Sequence, residues 1–298
     1  MLTKIVGSLT LGLSIVLLTA CGGGGSSDSG DGPGVEATGY FVDSAVEGMR
    51  YEASSGISGV TDAAGAFLYE AGDTVTFYIG DIVVGQAQGA GVLTPVALVS
   101  GAADETNPTV VNIARFLQSL DSDSNPDNGI TIAAAVATAA TGQSVDFTSA
   151  SFAADGAALV ESLRTSAYGD SGTLIDAATA QAHLQGSLLC ERAGTFSGTW
   201  VQTAGPESDS GTWSFTVDGA GNITGTGNST QNPELGTFGI SGTVSSDGQS
   251  TVGAVTVGAT FSGTIGLDGT VSGTWSSSAF GTSGTYSGSR TSGPTSCN

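Results

Sequence analysis

Between residues 194 and 290 the chain repeats one pattern five times: a large residue, Ser, Gly, Thr or Ser, and one more residue. The copies are Phe196-Ser197-Gly198-Thr199-Trp200, Ile240-Ser241-Gly242-Thr243-Val244, Phe261-Ser262-Gly263-Thr264-Ile265, Val271-Ser272-Gly273-Thr274-Trp275 and Tyr286-Ser287-Gly288-Ser289-Arg290, the last ending in a charge. In a strand, side chains alternate between faces, so the large residues and the central Gly share one face and Ser/Thr the other. Asp218-Gly219, Asp247-Gly248 and Asp268-Gly269 supply tight turns. Eight strands are expected near 195–203, 211–218, 222–228, 236–246, 250–256, 258–267, 270–277 and 283–290. Short hairpin-linked strands with Gly among large inward residues suit a small antiparallel up-and-down barrel. A membrane-spanning barrel would turn apolar residues outward, whereas here the outer face is Ser and Thr. Trp200, Trp213 and Trp275 are expected to fill the barrel as core, or to line a cavity for an apolar or sugar ligand.

The alternation of these barrel strands is similar to that of lipocalin-like barrels and of the barrels of transferrin-binding surface lipoproteins, which implies a fold and no residue-specific function.

The other end of the chain carries an address. Lys4 precedes an apolar run from Ile5 to Leu18, followed by Leu18-Thr19-Ala20-Cys21 and then Gly22-Gly23-Gly24-Gly25-Ser26-Ser27. The apolar run is too short to read as a membrane-spanning helix. The order resembles the signal peptide and lipobox of bacterial lipoproteins. That resemblance implies cleavage between Ala20 and Cys21, and acylation (palmitate or a similar chain) of Cys21. Gly22 rather than Asp after the Cys implies, by analogy with enterobacterial sorting, the outer membrane of a Gram-negative bacterium. The protein is then expected to be lipid-anchored in the cell envelope, facing the periplasm or the surface. Residues 1–20 are the signal peptide and 21–38 a Gly/Ser/Asp/Pro tether, whose 17 residues after the Cys reach roughly 20–25 Å.

Charge then excludes whole classes of function. The formal net charge is −21, and removal of Lys4 makes it one unit more negative, leaving five Arg against 27 acidic residues. Such a chain is repelled by phosphate backbones, so nucleic acid is not expected as a partner. Without Lys, the mature chain has no Schiff-base nucleophile, no Lys–Asn isopeptide and no phosphate-loop lysine. His183 is the single histidine and reads as a packed helix residue. No G-x-S-x-G occurs, and spacing suggests no Ser–His pair. Cys190 and Cys297 bracket the last domain, and an exported compartment permits a disulfide between them. Closing a loop of about 108 residues stabilises by roughly 4–5 kcal/mol on the chain-entropy account.

The expected architecture is mainly β and multidomain. A β-sandwich-like domain occupies residues 39–106, a small helical unit 107–189, and the eight-stranded barrel 190–298. In the first, strands are read at Tyr40-Phe41-Val42, Gly48 to Ala53, Gly59 to Asp62, Phe67-Leu68-Tyr69 and Val75 to Val84, with a turn at Asp62-Ala63-Ala64-Gly65. In the second, Asn107-Pro108 reads as a helix start, followed by an apolar stripe of Val110, Ile113, Ala114, Leu117 and Leu120. Further helices are expected at about 155–165 and 176–189, the latter capped by Asp176. The runs Val42-Asp43-Ser44-Ala45-Val46-Glu47-Gly48 and Thr61 to Phe67 resemble the carboxypeptidase-regulatory-like or transthyretin-like sandwiches of bacterial surface proteins, implying display rather than catalysis. The order from sandwich through Arg115 to Asp121, Asn128-Gly129-Ile130 and Ala182-His183-Leu184 resembles a recurrent architecture of proteobacterial lipoproteins.

Two constellations could carry chemistry. Asp121, Asp123, Asn125 and Asp127 place oxygens at every second position, as a loop wrapping a structural Ca²⁺ would. Pro126 and Ile132 depart from the EF-hand pattern, and an Asp/Asn turn capping the preceding helix is the favoured reading. The acidic pairs Asp170/Asp176 and Glu207/Asp209 could serve glycan hydrolysis. No cofactor is required by any motif. The expected function is that of a non-enzymatic envelope lipoprotein, a surface or periplasmic binding or adhesion module. Its partners are the membrane, through the lipid, and a macromolecular or small-molecule ligand. The alternatives are a glycan-directed hydrolase and a purely structural envelope protein.

Overall fold

A computed structural model describes residues 35–233, 236–254 and 257–293. The segment read as a lipobox, with Cys21, most of the expected tether and Cys297, lies outside the described residues. Among those described, no helix is long and apolar enough to cross a membrane.

The described residues begin with eight short strands: β1 (Glu36–Phe41), β2 (Val46–Glu47), β3 (Arg50–Ala53), β4 (Ser58–Val60), β5 (Ala66–Glu70), β6 (Thr74–Ile79), β7 (Ile82–Gln88) and β8 (Val92–Leu93). They form a β5-β1-β8 sheet and a β4-β3-β6-β7 sheet. Aromatic rings bridge the two: Phe41 and Phe67 meet Phe77 at 4.8 and 5.2 Å between centroids. The apolar run from Val75 to Val84, read as continuous in the sequence, is a hairpin. Ile79 pairs Ile82 across Gly80-Asp81, and Gly80 takes a positive φ of 59°. The turn expected at 62–65 is present, with Asp62 Oδ1 accepting the Ala64 and Ala66 amides at 2.9 Å.

The helical segment follows as α1 (Pro108–Ser119), a 3-10 turn (Pro126–Asn128), β9 (Ile130–Thr131), α2 (Ala134–Ala139), α3 (Phe152–Tyr168) and α4 (Ala177–Glu191). Asn107 caps α1 by accepting the Thr109 amide at 2.9 Å, and Asp176 caps α4 by accepting that of Thr179 at 2.9 Å. β9 pairs in parallel with β2. One continuous hydrophobic core therefore runs from Phe41, Phe67 and Phe77 through Ile113, Phe116 and Leu117 to Phe152 and Leu163. Sheet and helices cover each other's apolar faces, which neither could bury alone.

The barrel comprises β10 (Gly194–Ala204), β11 (Ser210–Val217), β12 (Asn222–Ser229), β13 (Thr237–Val244), β14 (Gln249–Ala254), β15 (Ala259–Ile265), β16 (Thr270–Ser277) and β17 (Thr282–Ser292). Strands pair antiparallel in chain order, and β17 closes onto β10. All eight expected strands form. Register explains the repeated glycine. Gly198 stands opposite Gly288, and Gly263 opposite Gly273. The first pair seats the Trp213 ring and the second the Tyr286 ring: a Cβ on Gly288 would lie 2.6 Å from Trp213, and one on Gly273 2.6 Å from Tyr286. The motif thus makes room at paired wall positions for rings that fill the interior.

Candidate functional site: the aromatic mouth of the barrel

The two ends of the barrel differ. At one end, α4 runs into β10 and covers the tight turns. Arg192 Nε donates to the Ile265 carbonyl at 3.1 Å and its Nη1 to that of Leu188 at 3.0 Å. Arg290 donates to the Glu191 carbonyl, with its guanidinium 5.4 Å from the Phe196 ring centre. The arginine that breaks the sequence repeat is therefore a bolt between the last strand and the helix.

At the other end no described helix covers the strands, and the β10–β11 and β12–β13 connections are longer than the four-residue turns opposite. There a cavity of about 340 Å³ is walled by Trp200, Phe238, Phe261 and Trp275, with Val257 and Ala259 between them. Trp200 and Trp275 stand nearly perpendicular, 5.4 Å between ring centres at 85°. Phe280 stands at the rim, 63% exposed. Beneath this chamber Trp213, Phe215, Ile240, Val252 and Tyr286 close the interior, leaving about 20 Å³, room for a single water at most. Of the three tryptophans singled out in the sequence, two thus line the cavity and Trp213 belongs to the floor. Trp200 and Trp213 donate their indole N–H to the Asn228 and Thr199 carbonyls, at 3.0 and 3.2 Å, while that of Trp275 has no acceptor among the described residues.

The polar side of the mouth is acidic and ordered. Asp209 accepts from the Ser229 hydroxyl at 2.8 Å, the Ser210 amide at 2.7 Å and Asn232 Nδ2 at 3.2 Å, so one carboxylate ties the β10–β11 loop to the β12–β13 loop. Gln202 donates to the Glu207 carbonyl beside it. Among the described residues, neither Lys, Arg nor His lines the cavity.

The Asp-rich segment is a network of turns. Asp121, 1% exposed, accepts the Thr131 amide at 2.9 Å and the Asn125 amide at 2.8 Å. Asp123 accepts the Asn125 amide at 2.9 Å and Asn128 Nδ2 at 3.0 Å. Desolvation raises the Asp121 carboxyl above its ordinary range, and the bond from Asn128 lowers that of Asp123. Asp127 points away, with 86% of its side chain exposed, toward His183. Among the described residues no three His, Cys, Asp or Glu side chains are grouped to hold a metal ion. Asp170 is held in a bidentate pair with buried Arg164, at 2.9 and 2.7 Å, and Asp176 is occupied as the α4 cap. Cys190 lies in the last turn of α4.

One constellation escaped sequence reasoning. The Asp43-Ser44 turn is buried between α1 and α4. Ser44, at φ 53°, places its Oγ 3.2 Å from His183 Nε2, and His183 Nδ1 lies 3.2 Å from Asp127 Oδ1. Gln118 donates to both Asp43 oxygens, at 3.2 and 3.0 Å, and the Ser44 amide donates to Ser187 Oγ at 3.1 Å. Although hydroxyl, imidazole and carboxylate stand in the order used for nucleophilic catalysis, Ser44 is 3% exposed and its amide is already bonded within the protein. The Asp43 carboxylate also faces the same imidazole nitrogen at 3.8 Å. The node fastens a turn to two helices. Its signals in the sequence were Gln118, one step round from Leu117 on a buried helix face, and Asp-Ser between Phe41-Val42 and Ala45-Val46.

The chain matches no protein-family model, and no curated protein matches it.

Proposed function

We propose that this protein is a non-enzymatic binding module of the bacterial envelope, held to the membrane by a lipid on Cys21 and taking a small molecule into the open mouth of its barrel. The observation that carries the reading is the cavity of about 340 Å³ walled by Trp200, Phe238, Phe261 and Trp275. Ligand pockets are mainly apolar, of about 300–1,000 Å³, with a few convergent polar groups. The tether and lipid belong to the same reading, as does a Cys190–Cys297 bond sealing the end of the barrel chain. The competing reading, glycan hydrolysis by paired carboxylates, is weakened because Asp170, Asp176 and Asp209 are all committed to structural bonds.

The test is native mass spectrometry of the full chain purified from its own envelope. We expect a small molecule retained on the wild type and lost on Ala259→Trp, which fills the mouth, while circular dichroism of the two is the same. An empty wild-type mouth, or a ligand retained equally by the variant, would overturn the proposal. The same spectra report the added acyl mass on Cys21, and an unmodified thiol there would remove the anchor.

A further inference from the structure

We infer that the mouth of the barrel selects an organic cation, an ammonium group carried on a compact apolar body. The inference rests on the binding reading above and goes on to name the class of ligand.

Three features point the same way. The walls are aromatic rings set at different angles: Trp200 and Trp275 nearly perpendicular, edge to face, with Phe261 6.2 Å from Trp275 and inclined at 31°. Aromatic faces carry the negative part of the ring quadrupole, and a box of them offers a desolvated ammonium attraction from several sides at once. The two ionisable groups of the lining are the carboxylates of Glu207 and Asp209. A ligand anion entering between them would meet repulsion with no cation to offset it.

The basic groups of the chain are spent elsewhere. Among the described residues every guanidinium is engaged within the chain: Arg50 with Glu52, Arg115 with the Ile175 carbonyl, Arg164 with Asp170, and Arg192 and Arg290 at the opposite end of the barrel. The formal net charge of −21 adds a long-range field that concentrates cations and depletes anions near the surface. An acidic surface alone attracts any cation. The aromatic chamber restricts the choice to one whose body can shed water, which small metal ions do not.

The experiment uses the full chain and three molecules of one shape: choline, its uncharged carbon isostere 3,3-dimethyl-1-butanol, and the anion 3,3-dimethylbutanoate, each titrated by tryptophan fluorescence. We expect choline to bind at least about tenfold more tightly than the alcohol, and the anion not to bind. Glu207→Gln is expected to weaken choline severalfold while leaving the alcohol unchanged. Equal affinity for choline and the alcohol would overturn cation selection while leaving a binding cavity in place. Tighter binding of the anion would overturn it too. No response to any of the three from a chain with native circular dichroism would overturn both this inference and the cavity reading beneath it.

Discussion

Asp43 shows how a single residue can set the conditions under which the whole assembly is most stable. Its side chain is fully buried, and burial pushes its carboxyl up from 3.8 to about 6, against the opposing pulls of His183 and the Gln118 hydrogen bond. The unfolded chain ionises this group near its ordinary value, so its contribution to stability is complete below about pH 4 and is lost as the pH rises through 6. A difference of about two pKa units corresponds to about 3 kcal/mol. Urea unfolding at pH 4, 5, 6 and 7 should therefore show a fall in stability of that order, and Asp43→Asn should flatten it. A variant that keeps the full slope would mean that other groups carry it. His183 and Gln118, unremarkable in the linear sequence, acquire this role only because α1 and α4 converge on the same turn.

At the scale of elements, agreement between sequence and structure follows how local the signal is. The caps Asn107 and Asp176 act within their own first turns, and both helices start where those residues stand. The barrel strands were legible because alternation and Asp-Gly turns are local patterns that recur along the whole domain. By contrast, α2 (AAVATA) carries no amphipathic stripe of its own and is a helix because Val136 and Ala140 pack into the shared core. The split of the Val75–Val84 run at Gly80 was hidden because both arms are apolar. Glycine in the barrel wall offers a sharp test. Gly288→Ala would drive a methyl into the Trp213 ring and the Ser197 carbonyl, for a loss of about 1–3 kcal/mol or more. Gly239→Ala, on the same barrel with open space around it, should cost less than about 1 kcal/mol. Thermal denaturation of the two variants makes the comparison, and equal losses would sink the steric account of the repeat.

For the molecule as a whole, uncompensated negative charge governs the long-range electrostatics. The five arginines are committed to internal contacts, so the carboxylates repel one another across the surface with little relief. Added salt should therefore stabilise the fold. Raising NaCl from 10 to 300 mM is expected to increase the melting temperature, by about 2–4 °C for every 1 kcal/mol of repulsion screened; a decrease would point instead to attractive ion pairs, such as that of buried Arg164 with half-exposed Asp170, as the governing electrostatics. Near neighbours along the chain suffice to specify the number and order of the barrel strands, the capped helices, the turn chemistry and the acidic surface, and all of these could be read from the residues. Packing over long range settled the rest: which end of the barrel α4 covers, that Trp200 and Trp275 face a cavity while Trp213 is floor, and that Ser44 meets His183. Those outcomes depend on contacts between residues far apart in the chain, whose geometry is set by how the sheets, helices and barrel close on one another.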